Sequence, residues 1–302
     1  QARSYSAGGH GRLRFIRKQE VAVSQFEFKQ VDVFSTVALK GNPVAVVLNA
    51  DSLSDQQMAD FARWTNLSET TFVLKPQNPE ADYRLRIFTT LRELPFAGHP
   101  TLGSCHAWLE AGGKPRGEEI IQECAVGLIR VRRQNGQLAF TAPPLLRDEA
   151  LDDDLLQRIC RGLGIDTRAV VQARWIDNGP GWLGLLLRDR EQVLALKPDF
   201  SQLHNRVVGV VAPWNPERDG TEAQFEVRAF VAGDGMSEDP VTGSLNAGLA
   251  QWLIGEGIAP SRYVASQGTA MGREGRVSIE KVGADIWVGG AAVTCINGSL
   301  TL

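Results

Sequence analysis

Only four cysteines occur in the chain (Cys105, Cys124, Cys160 and Cys295), and none forms a C-x-x-C pair or a closely spaced set. That excludes a disulfide framework and a thiolate zinc site, and reads as reduced thiols in a cytoplasmic protein. Histidine is as scarce: four residues, scattered, without metal-ligand spacing, so no metal is expected. No segment approaches the roughly 18 uninterrupted apolar residues of a membrane-spanning helix. An excess of base is missing too, since 32 Lys and Arg stand against 35 Asp and Glu for a net charge of −3. Five of those bases but one acid fall within residues 1–20, which leaves the remainder at −7. A body of that sign repels nucleic acid and anionic membranes, so neither is an expected partner. G-x-G-x-x-G, the Walker loop, G-x-S-x-G and H-E-x-x-H are all absent. Their absence removes the dinucleotide, nucleotide-triphosphate, serine-hydrolase and zinc-protease motifs.

What is present suits a soluble globular protein: 43% of the 302 residues are hydrophobic and 22% charged. At roughly 100–200 residues per domain, two domains are expected. The first 25 residues begin without Met and lack the apolar run of a secretory signal. They are read as an N-terminal extension or an expression remnant, with no catalytic role. From there, "FKQVDVF" and "PVAVVL" read as strands. A helix follows with Ser54 as cap, Gln57 at the capping-box position and Leu53 with Met58 as a hydrophobic staple. Strands at "TTFVL" and "YRLRIF", a long loop, the apolar helix of "GHPTLGSCHAWLEAGG" and three further strands complete the first half. The last two of those strands are joined by Asn135-Gly136, a hairpin signal. A joining helix at "LDDDLLQRICRGLG" precedes a second half that repeats the same order, ending in strands near 263–266, 276–280 and 286–295. "TLGSCHAWLEAGG" and "TGSLNAGLAQWLIGEG" share a Gly-Ser start, a Trp-Leu pair and a Gly-rich stop, though out of step by one helical turn. Duplication is the expectation, with a ligand cleft between the halves.

The chemistry gathers at helix entrances. "EDPVTGS" places Asp239 before Pro240 and opens a helix at Gly243-Ser244. A helix N-terminus presents unpaired N–H groups and partial positive charge, which attract an anion. Asp239 fits either a cap and turn or a group facing the cleft. In the first half, "ELPFAGHPTLGS" puts His99 before Pro100, a proline suited to the first helical turn. There the protonated imidazole is disfavoured, so His99 fits either a structural role or a neutral donor and proton relay. Glu69, in "TNLSETTFVL", stands at the lip of a strand that should be buried. It is either a solvated turn residue or a carboxylate whose pKa is raised for proton transfer.

Taken together, "FKQVDVF…GNPVAVVL", "TNLSETTFVL", "RELPFAGHPTLGS", "EDPVTGS", "ASQG" and "GGAAVTCINGSL" closely resemble the PhzF (phenazine biosynthesis-like) isomerase family. The resemblance runs in order from about Phe26 to the end. It implies an α+β, diaminopimelate-epimerase-like fold of two similar domains, each a mostly antiparallel sheet or barrel wrapped around a central helix. The halves would be 26–145 and 146–295, with 296–302 a closing segment able to return to the first. Carried over, the resemblance implies Glu69 as the proton-shuttling acid/base, with His99 and Asp239 orienting the substrate and managing its protons. Ser244, with N–H groups near Gly98 and Gly243, would bind a substrate carboxylate, and Asn42 is counted among the substrate-binding residues. The implied activity is a cofactor-independent isomerisation of a small carboxylate, in a homodimer. Two-thiol racemases of this fold carry Cys at both helix entrances, where this chain has "GHP" and "DPVTG"; Cys105 lies inside the first helix and reads as core. An amino-acid racemase or epimerase and a non-catalytic scaffold are the alternative readings.

Overall fold

The computed structural model describes residues 24–134, 136–232 and 237–302. Most of the expected N-terminal extension, and Asn135 of the expected Asn-Gly turn, lie outside those residues. The first half contains β1 (Gln25–Val33), β2 (Asn42–Val47), α1 (Asp55–Thr65), β3 (Thr70–Leu74), β4 (Tyr83–Phe88), β5 (Glu93–Leu94), α2 (Gly98–Glu110), β6 (Ile120–Cys124), β7 (Gly127–Gln134) and β8 (Gln137–Thr141). After the joining helix α3 (Asp153–Leu163) come β9 (Val170–Trp175), β10 (Trp182–Leu187), α4 (Arg190–Ala195), β11 (Val207–Pro213), α5 (Pro216–Asp219), β12 (Phe225–Val231), β13 (Glu238–Asp239), α6 (Gly243–Gly255), β14 (Arg262–Gln267), β15 (Gly275–Val282) and β16 (Asp285–Gly290). A last strand, β17 (Ala292–Thr301), closes the chain.

Strand pairing repeats between the halves step for step. In the first, β1–β2 is antiparallel, β2–β3 parallel, β3–β4 antiparallel, β4–β6 parallel, and β6–β7–β8 antiparallel. In the second, β9–β10, β10–β11, β11–β12, β12–β14 and β14–β15–β16 follow the same sequence of directions. Even the two-residue strands match, β5 lying on β4 and β13 on β12. This is an α+β fold in which each mostly antiparallel sheet curls around one helix, α2 or α6.

Both central helices are lined with small and apolar residues on nearly every side, which suits them to full enclosure. Gly103 in α2 lies so close to β2 that an added Cβ would sit 2.4 Å from Val44 Cγ1; Gly248 in α6 would meet the Ile176 carbonyl at 2.5 Å. Cys105 is buried in α2, and burial pushes its thiol up to about 12, so it stays neutral. On the outside, α1 packs Met58, Phe61 and Ala62 against Phe72 of β3 and Phe88 of β4. Its entrance has the expected capping box between Ser54 and Gln57, and Leu53 joins Met58 in that cluster.

Two expectations need correction. The strand placed at 286–295 is two strands: β16 pairs with β8 of the first half, and β17 leaves it to pair with β1. The break falls at Gly290-Ala291, where a Cβ on Gly290 would collide with Phe34 at 2.6 Å. The chain passes there with no room for a side chain, and changes partner. Return to the first half thus begins at Ala292. Nor does Gly-Ser open both helices. α2 starts at Gly98-His99, and Gly103-Ser104 lies a turn inside it, with Ser104 hydrogen-bonded to Thr71 at 2.8 Å. The residue matching Gly243 is Gly98.

Candidate active site

The N-termini of α2 and α6 meet at the junction of the halves. A Cβ on Gly98 would lie 2.9 Å from Gly243 Cα, and one on Gly243 would lie 2.9 Å from Gly98 Cα and 3.1 Å from the His99 nitrogen. No residue but glycine lets the two backbones approach so closely. The capping chemistry singles out the same two ends. α1, α3, α4 and α5 are each capped by a side chain, from Ser54, Asp152, Asp189 and Asn215. α2 and α6 have no side-chain cap: Ala97 offers no acceptor, and Thr242 turns its hydroxyl elsewhere. Both entrances keep first-turn N–H groups available to an anion.

His99, the second residue of α2, is buried, and loss of water lowers its pKa to about 3 against a weaker opposing effect from a hydrogen bond to the Pro43 backbone. Proline has no N–H, so the ring donates to that carbonyl. The imidazole is therefore neutral at ordinary pH. Its Nε2 lies 3.5 Å from Oε2 of Glu69, a carboxylate that is 16% exposed. Glu69 comes from the short link between α1 and β3, just after Asn66 ends α1 in the left-handed conformation. Burial on one side and access on the other suit a group that exchanges protons with a ligand.

Asp239 arrives from the other half on β13 and is buried beside the same ring. Its Oδ1 accepts from Asn42 Nδ2 at 2.8 Å and its Oδ2 from the Thr242 hydroxyl at 2.5 Å. Burial raises its pKa to about 6, partly offset by those two donors. Asn42, fully buried at the start of β2, also donates to the Val241 carbonyl at 2.9 Å and lies 3.3 Å from His99 Nδ1. Its amide nitrogen is taken up by the protein, which makes it a link between halves. Ser244 is half-buried; its hydroxyl accepts from Trp182 Nε1 at 3.0 Å, leaving its own hydrogen to donate. Glu69, His99, Asp239, Asn42, Gly98, Gly243 and Ser244 thus gather at one junction, drawn from positions up to 197 residues apart for a single hydrogen bond. Trp182, which also holds this network, carries no sequence signal, whereas Thr242 and Gln267 fall within "EDPVTGS" and "ASQG" but show there no residue type or spacing that names their partners. Among the described residues, no group of three or more His, Cys, Asp or Glu side chains is arranged to hold a metal. No helix in them is long and apolar enough to cross a membrane.

Two halves of one sheet, each curled about a helix, with carboxylates and an imidazole where the helix ends meet, make a diaminopimelate-epimerase-like fold. More narrowly, the chain belongs to the PhzC-PhzF family of phenazine biosynthesis-like proteins, whose model matches residues 31–298. It is 37% identical over 300 residues to Antisense-enhancing sequence 1 of Schizosaccharomyces pombe, covering 91% of this chain and 99% of that one. To the trans-2,3-dihydro-3-hydroxyanthranilate isomerase of Pseudomonas fluorescens it is 36% identical over 234 residues, covering 75% of this chain and 79% of the relative. Among solved structures, a PhzF-family phenazine biosynthesis protein from Enterococcus faecalis superposes with a TM-score of 0.78 at 26% identity, over 92% of this chain and all of that one. The chain is an enzyme of the isomerase class.

Proposed function

We propose that this isomerase moves a proton between carbons of a small carboxylate-bearing substrate without a cofactor, with Glu69 as the general acid/base. The observation that carries the reading is the placement of partly exposed Glu69 against neutral His99, at the junction of two uncapped helix N-termini. A substrate carboxylate would lie on the N–H groups at Gly98 and Gly243, with the Ser244 hydroxyl as a further donor. Glu69 would take a proton from one carbon and return it to another, so the atoms of the substrate are conserved and no group leaves. Neutral His99 would bind the substrate or pass its proton, and Asp239 would hold the geometry through Asn42. The 36% identical relative named for trans-2,3-dihydro-3-hydroxyanthranilate supports a cyclic amino-carboxylate as the first compound to test. Thiol-based racemisation is disfavoured because Cys105 is buried inside α2 with its proton held firmly.

The experiment is turnover in D₂O of that compound and a panel of small cyclic and amino carboxylates, followed by NMR. Carbon-bound hydrogen should exchange with solvent or be transferred internally. Glu69→Gln keeps shape and reach but loses the shuttle, so turnover should fall about 10²–10⁴-fold while binding largely survives. A Glu69→Gln enzyme with unchanged turnover would overturn the assignment.

A further inference from the structure

The stretch "ASQG" ends β14 at Gln267, a residue 1% exposed. Its side chain is fully engaged. Oε1 accepts from the Thr242 backbone N–H at 3.0 Å and from Asn246 Nδ2 at 2.8 Å. Nε2 donates to the Asp239 carbonyl at 3.1 Å and to the Thr242 hydroxyl at 2.9 Å. The amide has one possible orientation, because the Thr242 N–H can only donate and the Asp239 carbonyl can only accept. Two consequences follow for Thr242. Having accepted from Gln267, its hydroxyl directs its single hydrogen to Asp239 Oδ2, 2.5 Å away. And although Thr242 occupies the N-cap position of α6, that hydroxyl makes no capping bond.

We propose that Gln267 is a positioning residue that fixes the Thr242 hydroxyl as a one-way donor to Asp239, holding that carboxylate ionised and oriented and leaving the α6 entrance uncapped for substrate. This rests on the proposed function only for what Asp239 and the entrance are used for; the hydrogen-bond relay stands independently of it. A donor on each carboxylate oxygen opposes the burial that favours the protonated form. Among the described residues, the titratable groups nearest Asp239 are the adjacent Glu238 and, on the far side of the Asn42 amide, His99 of α2 with Glu69 beyond it. Glu238 is paired with Arg228 of β12 at 2.8 Å. From β14 the network receives the uncharged Gln267 amide.

The test is the protonation midpoint of Asp239 in the full chain, followed by carboxyl ¹³C NMR and assigned by loss of the signal in Asp239→Asn. It needs no substrate, so it reads out whether or not Glu69→Gln alters turnover. Thr242→Val should raise the midpoint by about one pH unit, the effect of removing one hydrogen bond from a charged acceptor. Gln267→Met should raise it by a smaller amount. Gln267→Asn, which keeps the amide but falls a methylene short, should do the same and gives a milder variant to read if Met prevents folding. In Thr242→Val, adding Gln267→Met should move the midpoint no further, because the relay is already cut. A merely structural role would lower the melting temperature and leave the midpoint in place. An unmoved midpoint in both Gln267 variants, or full additivity with Thr242→Val, would overturn the proposal.

Discussion

Burial keeps the His99 imidazole neutral down to about pH 3, whereas in the unfolded chain it takes up a proton near 6.5. Between those values the unfolded state holds more protons, so acid favours unfolding. The contribution of His99 is therefore full above about 6.5 and lost as pH falls toward about 3. Asp239 has the opposite sign. Raised by burial from 3.8 to about 6, it contributes stability fully below 3.8 and loses it as pH rises through about 6. Urea midpoints taken from about pH 7 to about pH 4 should fall less steeply in His99→Gln than in the parent. Equal slopes would mean that the fold does not resist protonating this ring. At this scale the sequence named Glu69, His99 and Asp239, because each sits in a short motif beside Pro, Gly or a strand. It did not name Gln267 or Trp182, which lie 25 and 62 residues from the groups they hold.

Among elements, the entrances of α2 and α6 are set by close packing. Gly243→Ala would force a Cβ to within 2.9 Å of Gly98 Cα, against backbone that has no flexible end to yield. Overpacking of this kind should cost about 1–3 kcal/mol and separate the two helix ends, measurable by denaturant unfolding. Gly255→Ala, at the last turn of the same helix, has no heavy atom within 4 Å of the added carbon. That variant should be stabilised by up to about 1 kcal/mol, since alanine is the better helix former. If both variants behave alike, contact at the entrance is not what demands glycine. Helix α1 was legible down to its capping box because the signals are local. The opening of α2 was legible at His99-Pro100, but the likeness of Gly103-Ser104 to Gly243-Ser244 misled, because that pair serves as packing against β2 and β3.

For the whole molecule, the two halves are joined by strand exchange as well as by the site. β8 takes β16 as its outer partner, and β1 takes β17, so the first half is flanked by segments from the end of the chain. A fragment of residues 24–145 would leave both outer edges bare and lose Leu300 and Leu302 from the cluster over α1. Such a fragment should show no cooperative thermal transition by circular dichroism, because unpaired edges and a depleted core leave too little buried surface. A sharp melt like that of the full chain would show that the first half folds independently of β16 and β17.

The sequence by itself determined most of the element order, the repeat and which residues stand at the helix entrances. These depend on period, caps, turns and residue type, all of which act within a few positions. The tertiary structure alone decided that β16 and β17 part at Gly290 and that Gly98 faces Gly243. It also decided that Gln267 governs a threonine on another element. Strand partners, backbone contacts and buried hydrogen bonds join residues distant in the chain, and their energy depends on separation in space, which no local pattern encodes.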